Sequence, residues 1–380
     1  MSEHFFNRLK GELKSIREKN LFREVQVYSK CRLNLCSNDY FQLRHDPRVI
    51  AGAKEACEKY GTGSGASPLL SGFLPCHQSL LDQLKKWKKK SSGMLFNAGF
   101  LANQALLKHL PRKNDLVLAD RLIHHSMAQA LTQGTARFKR YHHLDLDHLE
   151  KLLNAHYKDY ETVFVVTESV FSMDGDYPDL KKLVELKKHY SFILILDEAH
   201  GTGVFGETGA GLAEEMQVQD QVDIIIGTLG KSLASMGAYV LSDSSTVIDF
   251  LINRSGEFIY STFLSPSQVG SAEAAVLVLQ SSQKSRDYLQ KVSANFRAKL
   301  GLAEQELMTP SSSIVPVLIG DPVKTLELRN DLLQKGILLG AVRPPTVPPD
   351  TSRLRISLHT GVTQKYLEEL GEILKPWIIS

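Results

Sequence analysis

The sequence predicts an α/β protein, with a mainly parallel central sheet covered by helices on both faces and a smaller C-terminal α+β domain. Two observations carry the prediction. Short Val/Ile/Leu-rich runs without polar alternation recur at residues 116–118, 162–167, 192–196, 224–226 and 238–241, separated by helix-length segments. Unbroken apolar runs suit strands buried on both faces, and alternation with helices makes the sheet parallel. Beyond about Gln280 the pattern changes to helix, strand, helix, two strands and a last helix.

In chain order, Phe6, Leu9 and Leu13 at helical spacing predict an amphipathic opening helix before the charged stretch 15–20. Residues 51–60 read as a helix stopped by Gly61-Thr62-Gly63-Ser64-Gly65, and 77–90 as another. The five apolar runs follow. The last third reads as strand 314–319, helix 325–335, strands near 337–342 and 354–358, and a closing helix. The expected organisation is an N-terminal segment 1–45, a large α/β domain 46–275 and an α+β domain 276–380.

Composition narrows the function classes. A chain of 380 residues with 43% hydrophobic and 23% charged residues has material for a large core. A net charge of +3 gives no footing for a nucleic-acid or membrane partner. The apolar runs are too short to span a bilayer, and the opening residues lack the basic-then-apolar layout of a secretory signal. Cys31, Cys36, Cys57 and Cys76 form no C-x-x-C pair, so neither a disulfide scaffold nor a zinc site is expected, and the expected location is the cytoplasm.

Several nucleotide and metal signals fail on context. Gly230-Lys231-Ser232 resembles the end of a phosphate loop, but Ile225 stands where that loop needs its first glycine. Asp197-Glu198-Ala199-His200 matches a helicase acidic box, yet it precedes the Gly-Lys-Ser instead of following it. Gly201-x-Gly203-x-x-Gly206 fits a dinucleotide fingerprint by letter but does not join a strand to a helix. His124-His125 lacks zinc-ligand spacing, and Lys85-Lys86-Trp87-Lys88-Lys89-Lys90 reads as a helix end whose cations suit the dipole.

What remains sits at strand ends, where open parallel sheets bind ligands. Asp120, Asp197, Thr228 and Lys231 each follow an apolar run. An aldehyde cofactor such as pyridoxal 5'-phosphate (PLP) needs residues of these types. It requires a lysine that can be neutral, a carboxylate against the pyridine nitrogen, a flat partner over the ring, and N–H donors at a helix start for the phosphate. Lys231 lies in a polar turn between apolar strands, and Asp197 ends a strand with His200 three residues on. Ser172 follows the run 162–167, and Asn97-Ala98-Gly99-Phe100 introduces a helix.

Motifs in register along nearly the whole chain then make a specific resemblance. They are Ser37-Asn38-Asp39-Tyr40, Gly63-Ser64-Gly65, Phe96-Asn97-Ala98-Gly99-Phe100, Asp120-Arg121-Leu122-Ile123-His124 and Val170-Phe171-Ser172-Met173-Asp174-Gly175-Asp176. Asp197-Glu198-Ala199-His200-Gly201-Thr202-Gly203, Thr228-Leu229-Gly230-Lys231, Tyr260-Ser261-Thr262 and Arg343-Pro344-Pro345-Thr346-Val347-Pro348 complete the set. The chain resembles the α-oxoamine synthases, fold-type I PLP-dependent transferases that join an amino acid to an acyl-CoA with loss of CO2. Arg343 to Pro348 and the Gly-Thr-Gly after the acidic box favour the branch that uses a pimeloyl donor.

The resemblance implies PLP bound to Lys231 as a Schiff base, with Asp197 on the pyridine nitrogen, His124 stacked on the ring and His200 at the phenolic oxygen. It implies that Ser172, Thr228 and the backbone of Gly99 and Phe100 hold cofactor oxygens. It places Arg23, His124 and Thr346 against substrate, and Arg343 against the amino-acid carboxylate, with Arg355 as the rival for that task or else a solvated strand residue. The implied partners are L-alanine and pimeloyl-CoA or a pimeloyl-carrier protein. A homodimer with a shared site is also implied, Thr262 reaching the neighbour's cofactor phosphate. Competing readings are a sister enzyme such as glycine C-acetyltransferase, a nucleotide-driven motor and a non-catalytic binding protein. Two departures from the family pattern, Phe41-Gln42 after Tyr40 and Ser232 to Gly237 after the lysine, bear on substrate preference.

Overall fold

The computed structural model describes residues 2–28, 31–302 and 312–378. The chain divides into two compact units, a larger one formed by Asp39–Ser172 and Asp176–Gln290, and a smaller one formed by Met1–Asn38, Met173–Gly175 and Lys291–Ser380.

The larger unit is built on seven strands: β1 (Ser92–Phe96), β2 (Leu116–Asp120), β3 (Arg137–Tyr141), β4 (Val163–Glu168), β5 (Ile193–Asp197), β6 (Ile224–Thr228) and β7 (Ala238–Ser242). They pair in the order β1-β7-β6-β5-β4-β2-β3, and every pairing is parallel except those made by β7. The five strands expected from apolar runs are all present, and β4 and β5 are almost wholly buried, as strands covered on both faces must be.

Two strands carry no such run. β3, Arg-Phe-Lys-Arg-Tyr, lies at the sheet edge with most of its side chains outside the core, so charges are tolerated there. β1 begins with Ser92 and Gly93 at the opposite edge.

The surrounding helices follow local rules. The helix Pro47–Tyr60 has Pro at its first position and Asp46 as a side-chain cap, and it stops at Gly61. Pro266–Gln280 starts with a reciprocal Ser265/Gln268 capping box. The basic run at 85–90 does end a helix, Pro75–Lys88, but it is not uniformly solvated. Lys88 and Lys90 are buried, the latter with its Nζ 2.7 Å from Asp243 Oδ2.

The fingerprint-like glycines serve packing. Gly203 and Gly206 adopt φ of +84° and +89°, and a Cβ at Gly203 would lie 2.7 Å from the Ser232 Cβ. They stand in a turn-rich segment between β5 and the short helix Leu212–Glu215.

In the smaller unit, β8 (Ile314–Gly320), β9 (Gly340–Val342) and β10 (Ser352–Ser357) form an antiparallel sheet in the order β9-β10-β8. The helices Pro322–Gln334 and Gln364–Leu374 belong to the same unit. Leu33–Asn34 pairs in parallel with Ile337–Leu338. The opening helix Ser2–Glu18 has no buried side chain. Among the described residues no helix is long and apolar enough to cross a membrane.

Candidate active site

The carboxyl ends of β4, β5 and β6, with the turns after them, frame a cavity of about 210 Å³. Its wall includes Gly99, Phe100, His124, Asp197, His200, Thr228 and Lys231. Seven residues chosen from the sequence for cofactor chemistry therefore meet in one place, as the strand-end rule requires.

Asp197, the last residue of β5, is buried, and its Oδ1 accepts the Ala199 N–H at 2.8 Å while Oδ2 accepts from Asn103 Nδ2 at 3.2 Å. Lys231 is half-buried in the turn after β6. That turn is held by Thr228, whose Oγ1 donates to the Gly237 carbonyl and accepts the Gly230 N–H, both at 3.1 Å. At the cavity wall, Gly227 leaves room for its neighbour: a Cβ there would come within 2.2 Å of the Tyr239 ring.

His124 caps the helix His125–Gln133, its Nδ1 accepting the Ser126 N–H at 3.3 Å. The Ser126 hydroxyl lies 2.7 Å from the same nitrogen and accepts from Asn103 Nδ2 at 3.0 Å, so its own hydrogen is directed to Nδ1. Nδ1 is thus an acceptor and Nε2 carries the proton. Burial lowers the imidazole pKa; the Asp197 carboxylate opposes this, and Lys231 and His125 add to the lowering. The ring is neutral, with an N–H to offer.

His200 Nδ1 lies 2.7 Å from the Tyr40 hydroxyl, both groups buried. The helix Gly99–His109 begins at Ala98, which has no side chain able to cap it. Its first N–H groups, with Gly99 and Phe100 on the cavity wall, form a receptor for an anion.

Sequence reasoning missed part of this wall. Glu168, the last residue of β4, stands beside Asp197, and its Oε1 accepts the His124 N–H. Burial, followed by the charge on Asp197, pushes the Glu168 carboxyl well above the usual range. Asn103 and Ser126 link His124 to Asp197. Glu168 carried a usable signal, a polar residue ending an apolar run. Asn103 carried none, and Tyr40, though part of a family motif, gave no sign of its pairing, because their partners are 94 and 160 residues away in sequence.

Other expected residues stand elsewhere. Among the described residues, the cavity wall includes neither Ser172, half-buried after β4, nor Thr262. Thr262 is exposed, its carbonyl accepting from Asn97 Nδ2 at 2.6 Å. Arg23, Arg343 and Thr346 belong to the smaller unit. There Arg343 donates to the Asn20 carbonyl and its buried Nε has no hydrogen-bond partner, while Thr346 is exposed. Arg355 is not the solvated strand residue that alternation allowed. It is buried, with Nη1 2.7 Å from Ser357 Oγ and 3.1 Å from Asn38 Oδ1.

The family model for aminotransferase class I and II matches residues 31–374. The 8-amino-7-oxononanoate synthase of Geobacter sulfurreducens is 39% identical over 94% of each chain. That of Cellvibrio japonicus is 38% identical over 92% of this chain and 88% of its own. Among solved structures, a serine palmitoyltransferase from S. paucimobilis with a bound PLP-myriocin aldimine superposes with a TM-score of 0.88 at 26% identity, covering 98% of this chain and 97% of the other. The 8-amino-7-oxononanoate synthase of Francisella tularensis superposes with a TM-score of 0.78 at 26% identity, covering 92% of this chain and 97% of the other. With the family model matched over residues 31–374 and a relative 39% identical along 94% of the chain, the chain belongs to the 8-amino-7-oxononanoate synthases, within aminotransferase class I and II.

Proposed function

We propose that this protein is a PLP-dependent acyltransferase of biotin biosynthesis that condenses L-alanine with a pimeloyl thioester, on CoA or a carrier protein. The products are 8-amino-7-oxononanoate, the free thiol and CO2. The observation that supports this reading is the single cavity shared by Lys231, buried Asp197, neutral His124 and an uncapped helix start.

The donor set fits PLP group by group. Lys231 would hold the aldehyde carbon, Asp197 the pyridine nitrogen and His200 the phenolic oxygen, with His124 against the ring. The N–H groups of Gly99 and Phe100, with Thr228 and Ser172, would hold the remaining oxygens. Bound there, PLP supplies an electron sink for the amino acid's Cα.

The chain's own groups do the rest. The Lys231 amine would take the Cα proton, a task needing a short reach within a closed pocket. His124, its proton fixed on Nε2 by Ser126, would donate to the acyl oxygen as charge develops there. Burial and the Asp197 charge push the Glu168 carboxyl up, which favours its protonated form beside Asp197. Arg343 would pair with the amino-acid carboxylate through the planar fork that suits it, whereas Arg355 is engaged by Asn38 and Ser357. Arg23 and Thr346 would meet the substrate. In a cytoplasmic homodimer with shared sites, Thr262 would reach the neighbouring subunit's cofactor phosphate.

Product mass spectrometry with L-alanine plus pimeloyl-CoA tests the reaction, and borohydride trapping tests the lysine. Wild type should yield 8-amino-7-oxononanoate and a reduced PLP adduct on Lys231, and Lys231→Ala neither. A variant that retains turnover removes the proposal. Faster CoA release from acetyl-CoA plus glycine would favour the sister reaction.

A further inference from the structure

We infer that His143 is a positioning residue for this site, a cation that ties the turn carrying His124 to the loop carrying Ser172. Its Nδ1 lies 2.9 Å from Asp120 Oδ1 and its Nε2 2.9 Å from Asp176 Oδ2. An ionised carboxylate only accepts, so a ring facing one from each nitrogen donates twice and is an imidazolium. The ring meets Phe171 edge-on, with centroids 4.4 Å apart at 89°. Its side chain is 17% exposed, that of Asp176 12% and that of Asp120 fully buried.

Each carboxylate is anchored in a segment that leads to the cavity. Asp120 ends β2, and its Oδ1 also accepts the Leu122 N–H at 2.8 Å, fixing the turn that delivers His124 two residues later. Its Oδ2 accepts the Leu144 N–H at 2.8 Å, so His143 is held to the same aspartate through its own backbone neighbour. Asp176 closes the other loop, its carbonyl accepting the Phe171 N–H at 2.9 Å across Ser172. The charges on both carboxylates converge on one ring, which joins the two segments directly. Without the cation, two poorly solvated carboxylates would face each other, and the segments would separate. Burial works against the charge on His143, but the two hydrogen-bonded aspartates overcome it and raise its pKa to about 10.

The cofactor consequence rests on the PLP reading above, whereas the coupling of the two segments does not. Wild type, His143→Gln and the double variant His143→Gln/Asp176→Asn are compared by hydrogen exchange without cofactor and by PLP titration. In His143→Gln, peptides spanning 121–126 and 171–176 should both exchange roughly tenfold faster, and the PLP Kd should rise by about tenfold or more. The double variant, relieved of one carboxylate, should recover melting temperature but neither PLP affinity nor protection of the two segments. A folding role alone would move melting temperature and affinity back together. Lost protection in only one segment, acceleration spread evenly along the chain, or an unchanged PLP Kd would overturn the inference. If His143→Gln does not fold, the double variant is read by the same two measurements. Failure of wild type to trap PLP on Lys231 would remove the functional reading and leave the exchange result to decide this one.

Discussion

Glu168 and Asp197 stand directly opposite each other at the ends of adjacent parallel strands, two buried carboxyls on the wall of one cavity. Both cannot be ionised at low cost in such a site, and their surroundings decide the difference. Asp197 receives N–H groups from Ala199 and Asn103, whereas Glu168 receives the His124 N–H. Burial and the neighbouring Asp197 charge therefore favour the protonated form of Glu168.

This arrangement has a pH signature. A carboxyl with a raised native pKa holds its proton in the folded state after the unfolded chain has released it, so stability falls as pH rises above about 4.5 toward the native value. Glu168→Gln keeps the shape of the neutral acid and removes that slope. The variant should gain melting temperature relative to wild type between pH 5 and pH 8; equal slopes for the two proteins would sink the assignment.

His143 predicts the opposite comparison. A histidine whose pKa is raised by partners contributes stability that is complete below the unfolded value of 6.5 and is lost as pH rises to about 10. The groups facing the ring are Asp120, Asp176 and Phe171. Denaturant titrations should find His143→Gln least stable relative to wild type near pH 6, with the gap closing toward pH 10. A gap independent of pH would mean that the imidazole is not charged.

Much of the site was legible because it lies where chain-local patterns end. Asp197, Thr228 and Lys231 each follow an apolar run, and the strand-end rule turns that position into a shared cavity. Glu168 obeys the same rule, but none of the tasks that PLP sets calls for a second carboxyl there. The strand Arg137–Tyr141 was invisible for a different reason: an edge strand needs no apolar run. The engagement of Tyr40 with His200, of Asn103 with Asp197 and of His143 with two loops depends on non-local pairing, which spacing in the sequence does not express. Lys88 and Lys90 show the same limit, since a lysine run that ends a helix carries no sign that two of its members lie buried.

Leu144 gives a local prediction. It adopts φ +55°, a left-handed conformation that costs a leucine about 1 kcal/mol. The strain is tolerated because its N–H is needed by Asp120. Asparagine accepts this conformation more readily, so Leu144→Asn should raise the melting temperature by a few degrees, roughly the effect of about 1 kcal/mol. A lower melting temperature would show that the half-buried leucine side chain contributes more by packing than its backbone costs.

Lys88 carries the largest expected loss outside the cavity. Its ammonium lies 2.7 Å from Thr202 Oγ1, donates to the Ala210 carbonyl, and is the cation felt by buried Glu198. Removing it leaves the buried Thr202 hydroxyl and Ala210 carbonyl without this donor, so Lys88→Met should cost about 2 kcal/mol in urea titrations at pH 7. Burial lowers the Lys88 pKa to about 8, partly opposed by Glu198 and Glu214. Between pH 8 and 10.5 the unfolded chain holds more of this proton than the folded one, so the wild-type protein gains stability there with rising pH. Methionine has no such gain, and the deficit of the variant should widen from pH 8 toward pH 10. A deficit that narrows over that interval would show that Lys88 is not desolvated in the folded protein.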